Sequence, residues 1–426
     1  MHRRVFLKGG ALSLLTLGLS PSFLRRTALA MDLPRAARGK TLIVLFQRGA
    51  ADALNVLVPF GDRHYYTVRP QLAIGSPARP NGSLGAIDLD GFYGLHPALA
   101  SLKPLWDRGL LAPIHAVGSP SATRSHFDAQ DYMETGTPDR KGTTDGWLNR
   151  YLAVKGTCES CAPGDVPSSP FRAVAMSAQT PRILEGPSPV VAMNAIDEFS
   201  IRTNGGDAER RLEALYRTGK ADLIHGSGSD MFEALKVLRA ANPQQYRAAS
   251  GVVYPRSPFG QRLAQIAQLI KAGVGLEVAF ADVGGWDTHV NQGAAQGQLA
   301  NRLRDFGDSI AALVADLGDR MDDVVILTCS EFGRTVRQNG TGGTDHGHAG
   351  AMFAIAGSLA SPRRVHGTWP GLAPEQLYEG RDLALTTDFR AVFSEIAAKH
   401  LGAAEVGAMF PGYAGGTREW LGVVRG

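Results

Sequence analysis

Three short polar stretches carry the residue types of a metal centre, and each begins where an apolar run ends. R-G-A-A-D-A-L-N (48–55) contributes Asp52 and Asn55, and G-G-W-D-T-H-V-N-Q (284–292) contributes Asp287 and His289. S-E-F-G-R-T (330–335) is followed closely by T-D-H-G-H-A-G (344–350), with Asp345, His346 and His348. Three of the eleven histidines therefore lie between Asp287 and His348. Imidazole mixed with carboxylate favours zinc, manganese or iron over magnesium or calcium. In an extended segment alternate residues share a side, so Asp-Thr-His and His-Gly-His each aim two ligands the same way. The candidate metal ligands are Asp52, Asp287, His289, Asp345, His346 and His348, for one or two divalent ions, zinc or manganese.

A fourth cluster is Arg124-Ser125-His126-Phe127-Asp128. Ser125 reads as a helix N-cap, with Asp128 in the place of a capping-box partner. The same position offers a nucleophile in the positive end of a helix, with Arg124 and His126 adding charge for an oxyanion. Both readings stand at this point. Glu331 with Arg334, at the end of a strand, reads either as a pair that positions ligands or as a loop brace, with the brace preferred. His96 and His115, near element ends, read as structural.

These clusters need a sheet to bring them together. T-L-I-V-L-F-Q (41–47) is apolar without alternation, as a parallel strand covered on both faces requires. Further strands are expected from Leu111 to Val117, Leu276 to Asp282, Val324 to Ser330 and Met352 to Ala356. Helical patterns run from Pro97 to Trp106, Ala208 to Tyr216, Gln261 to Ala272 and Thr387 to His400. Leu299, Leu303, Phe306, Ile310, Leu313 and Leu317 form one stripe of a long helix that Gly318 can stop. Strand, crossover helix and strand make the βαβ unit of an α/β fold with one mainly parallel central sheet and helices on both faces. Residues from about 151 to 255 are richer in Pro, Gly and Ser and read as a less regular insertion or cap. Ligands in such sheets bind at the carboxyl ends of strands, where the three polar stretches fall.

The N-terminus carries Arg3 and Arg4, then an uncharged run from Gly9 to Leu24, then Ala28-Leu29-Ala30. That is the grammar of a twin-arginine export signal over residues 1–30, cleaved after Ala30. The run is too short and too rich in Gly and Ser to serve as a stable membrane anchor. The leader holds five of the 44 basic residues and no acidic one, so 39 basic residues face 40 acidic ones in the rest of the chain. No basic stripe interleaved with aromatics survives there, which argues against a nucleic-acid partner. At 44% hydrophobic and 20% charged the composition is that of an ordinary globular protein. A periplasmic or secreted location makes a disulfide the first expectation for Cys158 and Cys161. Cys329 reads as a core thiol.

F-Q-R-G-A-A-D-A-L-N, H-P-A-L, R-S-H-F-D-A-Q-D-Y-M-E, G-G-W-D-T-H-V-N-Q, E-F-G-R-T and T-D-H-G-H-A-G together resemble the domain-of-unknown-function 1501 family. That resemblance implies an alkaline-phosphatase-like fold over residues 31–426, with a two-metal site at the strand ends. It implies Ser125 as nucleophile, Asp287 and His289 as ligands of one metal, and Asp345 and His346 as ligands of the other. The chain departs from the superfamily in three places. Gln47 and Arg48 stand where an aspartate ends the first strand, and Asp52 is the nearest carboxylate. Asp-Thr-His replaces Asp-x-x-x-His. The last histidine falls to His366 or His348. The expected function is an exported metal-dependent hydrolase of phosphate or sulfate esters on small molecules or polymers, delivered by the twin-arginine translocase. The alternative is a non-catalytic periplasmic binding or assembly protein on the same fold.

Overall fold

Every residue of β1 (Thr41–Gln47) is buried, because its two faces feed two different cores. Ile43 and Leu45 pack in one core, and Leu42, Val44 and Phe46 in the other. The computed structural model describes residues 39–77, 84–155, 169–198, 237 and 246–426. The expected leader, Cys158 and Cys161, and the Ala208–Tyr216 pattern lie outside those residues.

In chain order the other strands are β2 (Leu57–Val58), β3 (Ile87–Asp88), β4 (Gly94–Leu95), β5 (Leu111–Gly118), β6 (Ala173–Ala175), β7 (Val191–Ala192), β8 (Val278–Val283), β9 (Val324–Cys329), β10 (Gly350–Ala356) and β11 (Thr387–Asp388). The eight-stranded main sheet has the order β11-β5-β10-β9-β1-β8-β6-β7, and β2, β4 and β3 form a small sheet beside it. Within the main sheet only β10 runs against the rest. The molecule is thus α/β with a mainly parallel central sheet. β6 and β7 come from the stretch expected to be an insertion, so its described part extends the sheet itself.

The helices that matter for the cores are α1 (His126–Thr135), α2 (Trp147–Lys155), α3 (Pro258–Ala272), α4 (Gln298–Leu317) and α5 (Phe389–Lys399). All six residues of the α4 stripe are buried, packing with Leu263 and Ile266 of α3 on one sheet face. Trp147 and Tyr151 of α2 and Phe393 of α5 cover the other face. Helices therefore lie on both faces, as each layer needs to bury its apolar side.

Some element bounds differ from the sequence reading, and at two of them a local bond sets the end. Ser330 leaves β9 because its hydroxyl donates to the Gln47 carbonyl and accepts from Ala51 N–H. α5 starts at Phe389, since the Asp388 carboxylate caps it by accepting from Arg390 N–H, and Thr387–Asp388 pairs with β5 instead. The expected helix from Pro97 to Trp106 is split. Pro97–Leu102 is a 3₁₀ turn with Leu99 out of helical geometry, and Lys103–Asp107 follows as an α-helix. Among the described residues no helix is long and apolar enough to cross a membrane.

Register then places the strand ends. Gln47 of β1 sits opposite Val283 of β8, and Phe46 opposite Cys329 of β9. The loops at 48, 284 and 330 therefore leave from one level. β10 is reversed, and its first residue, Gly350, pairs with Val117 near the end of β5. The residues before β10 and those after β5 reach the same edge as the other three loops.

Three histidines buried in this frame couple stability to pH. Burial pushes His96, His115 and His400 down to about 4. Unfolded, each takes a proton near the ordinary value of about 6.5. The unfolded chain then binds more protons across that window, so stability is lost as pH falls from about 6.5 towards 4. Thermal midpoints measured from pH 7 to 4 should fall accordingly. His400→Gln, which removes the group donating from Nε2 to the Thr41 carbonyl, should flatten the fall. A profile unchanged by that substitution would contradict the assignment.

Candidate metal centre

The loop after β8 carries Asp287 and His289 across the top of the loop after β1. Gly49 makes this possible: its φ is +116°, and a Cβ there would lie 2.7 Å from the Asp287 main-chain nitrogen. On the far side, a Cβ at Gly343 would lie 2.3 Å from the His289 carbonyl carbon, so only glycine lets the 339–345 loop close on it. α1 enters from the end of β5, with Ser125 as its N-cap. The segment before β10 brings in His346.

Four side chains meet where these loops converge. Asp287 Oδ1 lies 2.9 Å from His289 Nε2 and 3.2 Å from His346 Nε2, and Asp287 Oδ2 lies 3.4 Å from His126 Nε2. His289 Nε2 and His346 Nε2 are themselves 2.9 Å apart. His126, Asp287 and His346 each offer a ligand atom within 4.8 Å of the other two. Tetrahedral ligands at about 2.0–2.2 Å from one zinc-sized ion stand roughly 3.3–3.6 Å apart, close to the 3.2 and 3.4 Å separations here.

The other nitrogen of each ring is held by an acceptor. His126 Nδ1 is 2.8 Å from Glu331 Oε1, His289 Nδ1 is 2.9 Å from Asp345 Oδ1, and His346 Nδ1 is 2.9 Å from the Arg124 carbonyl. A carboxylate and a carbonyl can only accept, so Nδ1 donates in all three rings. In the neutral rings the proton-free nitrogens are then the three Nε2 atoms that face Asp287. Two such lone pairs 2.9 Å apart repel unless one nitrogen takes a proton or a cation lies between them, and Arg334 Nη1 stands 3.5 Å from His289 Nε2. His126 Nε2 is buried with no hydrogen-bond partner among the described residues. Both observations fit a metal, and the outer acceptors are those that orient metal-bound imidazoles.

Charge in the site suits the same purpose. Burial alone would raise Asp287, but Arg334, with Nη2 2.7 Å from Oδ1, holds it below the usual carboxylate range. His289 and Asn339 donate to Asp345 and lower it. Glu331 is lowered against its burial by donation from His126, Gln130 and Gly49 N–H. His346 is lowered by burial and by positive neighbours, whereas the bond to Glu331 raises His126. At neutral pH the three carboxylates are ionised and His346 is neutral, the form a metal requires.

The sequence-derived candidates divide. Asp287, His289 and His346 come together, and Asp345 stands behind His289. His126, read from sequence as a catalytic cation, is instead one of the converging imidazoles. Arg124 presents its carbonyl, while its guanidinium pairs with Glu379 at 2.7 Å and Asp382 at 2.6 Å. Ser125 is exposed, and its hydroxyl accepts from Asp128 N–H at 3.4 Å, the capping contact. Asp52 is fully buried against Arg69 and Gln292. His348 stacks on Tyr378, ring centroids 4.2 Å apart, and buried His366 bridges to Ile114 in β5. Glu331, read as a brace, is the residue whose role the sequence understated: its carboxylate holds His126.

A family model described as a protein of unknown function (DUF1501) matches residues 113–408. Among solved structures, PsFucS1 sulfatase from Pseudoalteromonas sp. aligns at 11% identity over 96% of this chain and 78% of that one, with a TM-score of 0.40. The lipoteichoic acid synthase LtaP from Listeria monocytogenes aligns at 10% identity over 78% of this chain and 69% of that one, with a TM-score of 0.33. No curated protein matches the chain.

Glu331→Gln separates a ligand-orienting acceptor from a loop brace. The amide can still accept through its oxygen but loses the charge that favours metal-bound His126. Zinc affinity by chelator competition should weaken roughly 10–100-fold. Affinity equal to wild type would return Glu331 to bracing alone.

Proposed function

The chain belongs to the protein family of unknown function DUF1501, and from that premise we propose that it is an exported, metal-dependent hydrolase of phosphate or sulfate esters. One observation carries the metal: an Asp287 oxygen and a ring nitrogen each of His126 and His346 lie within 4.8 Å of one another, with His289 Nε2 2.9 Å from Asp287 Oδ1 and each Nδ1 already committed to an acceptor. His126, Asp287, His289 and His346 would hold the ion, zinc or manganese. A divalent ion there supplies a Lewis acid for an ester oxygen and lowers the pKa of water. The ester class rests on the likeness of the chain's motifs to the alkaline-phosphatase-like superfamily.

The chain's own residues supply the rest. Glu331, Asp345 and the Arg124 carbonyl hold the rings in one tautomer. Arg334 keeps Asp287 ionised and adds positive charge next to a site that must attract an anionic ester. Ser125 stays the cap of α1, so this reading does not route attack through its hydroxyl. Folded export with the metal already loaded fits the twin-arginine reading of residues 1–30, with the translocase as transient partner.

A second reading has an observation of its own. Neither the serine nor the carboxylate of the first loop meets the cluster, as a binding or assembly protein that retained only the metal centre would show.

Mature protein loaded with zinc or manganese should hydrolyse an aryl phosphate or an aryl sulfate. Asp287→Asn should lower turnover by about two orders of magnitude or more through lost metal. Ser125→Ala should stay within about twofold, as expected of an exposed cap that touches no ligand. Loaded protein inert to both esters would favour the binding reading. Collapse of turnover in Ser125→Ala with metal retained would restore the serine as nucleophile.

A further inference from the structure

Behind the cluster lies a buried polar chain that touches no candidate ligand side chain except through the backbone. Asp52 and Gln292 are both fully buried. Gln292 Nε2 donates to Asp52 Oδ2 at 2.6 Å, and Arg69 Nη1 donates to the same oxygen at 2.6 Å. A carboxylate can only accept, so it fixes which end of the Gln292 amide faces it. The amide oxygen then points the other way, where Thr288 Oγ1 and Thr344 Oγ1 both donate to it at 2.8 Å. Thr288 stands between Asp287 and His289. Thr344 stands two residues before His346. Thr344 N–H also donates to the Thr288 carbonyl at 3.2 Å.

We propose that Gln292, oriented by Asp52, is a positioning residue that sets the separation of His289 and His346 by holding Thr288 and Thr344 on one amide oxygen. The proposal rests on the metal reading above. Backbone bonds from Asn291 N–H to the Thr341 carbonyl, Gln292 N–H to the Gly342 carbonyl and Thr344 N–H to the Thr288 carbonyl join the two loops, and the amide oxygen shared by two hydroxyls adds the side-chain tie between the residues next to His289 and His346. Asp52 thereby serves the site without being a ligand. Its other oxygen, Oδ1, is buried without a partner among the described residues, which leaves Oδ2 carrying both donors.

Threonine allows a near-isosteric test. Thr288→Val and Thr344→Val remove one hydroxyl each, whereas Thr288→Ser and Thr344→Ser keep it. Zinc affinity is read by chelator competition, and apo-protein melting is read separately. Each valine variant should bind zinc about tenfold more weakly, at the lower end of the loss seen for outer-shell partners. Each serine variant should bind within about twofold of wild type, the hydroxyl being restored. The double valine variant should lose less than the product of the two single losses, because both act through one amide. Valine variants that melt lower but bind zinc as wild type does would overturn the proposal and leave the chain purely structural. Serine variants as weak as valine would overturn it too. Wild-type protein that takes up no zinc or manganese would instead bring down the metal reading, and this proposal with it. Should Thr288→Val fail to fold, Thr344→Val gives the same comparison from the other arm.

Discussion

The site depends on an ion pair that never meets water. Arg69 and Asp52 have no exposed side-chain surface to speak of, and their contact is 2.6 Å. Removing two charges from solvent costs several kcal/mol per ion, which the pair offsets through further hydrogen bonds, although Asp52 Oδ1 has none among the described residues. Arg69 makes its own on the loops: Nε donates to the Val336 carbonyl, Nη2 to the Thr335 carbonyl, and Nη1 also to Asn55 Oδ1. Asp52 passes the constraint on to Gln292. The loop after β1 is thereby tied to the residues following Arg334 and to the two threonines beside the candidate ligands. Loss of one partner would strand a buried charge, which is why the arrangement has few alternatives.

The sheet supplies what that network cannot. Parallel register puts the ends of β1, β8 and β9 at one level, and the reversal of β10 lets the segment before it arrive there as well. The side chains of residues 126, 287, 289 and 346 meet because four connections open on one edge. The histidine rings are then held from behind by Glu331, Asp345 and a carbonyl. The whole is a preorganised set of donors with like partial charges turned inward, which is costly to keep without a cation.

Much of this was legible in the sequence. The apolar run 41–47 gave β1 to the residue, and the stripe from Leu299 to Leu317 gave α4. The D-T-H and D-H-G-H stretches named three of the four converging side chains. What escaped depended on tertiary partners. Asp52 looks like a ligand until Arg69, seventeen residues on, is seen against it. His348 was expected to share a side with His346, but 344–349 is not a regular strand. It has one bridge, Arg334 to His346, and alternation fails beyond it. Ser125 and His126 are neighbours with opposite fates: the cap geometry turns the serine to its own helix and delivers the histidine to Asp287. That Glu331 comes two residues after the end of β9, on an edge where polar side chains gather, was the signal for its role.

The central claim is that one divalent ion sits among His126, Asp287, His289 and His346. Anomalous diffraction from crystals of the protein grown with zinc or manganese, collected at the metal's absorption edge, tests it directly. A single strong peak is expected within about 2.0–2.3 Å of the Nε2 atoms of His126 and His346 and an Asp287 oxygen, with His289 beside it, as zinc–ligand bonds require. A map with no peak there, or with the metal held only elsewhere, would contradict it.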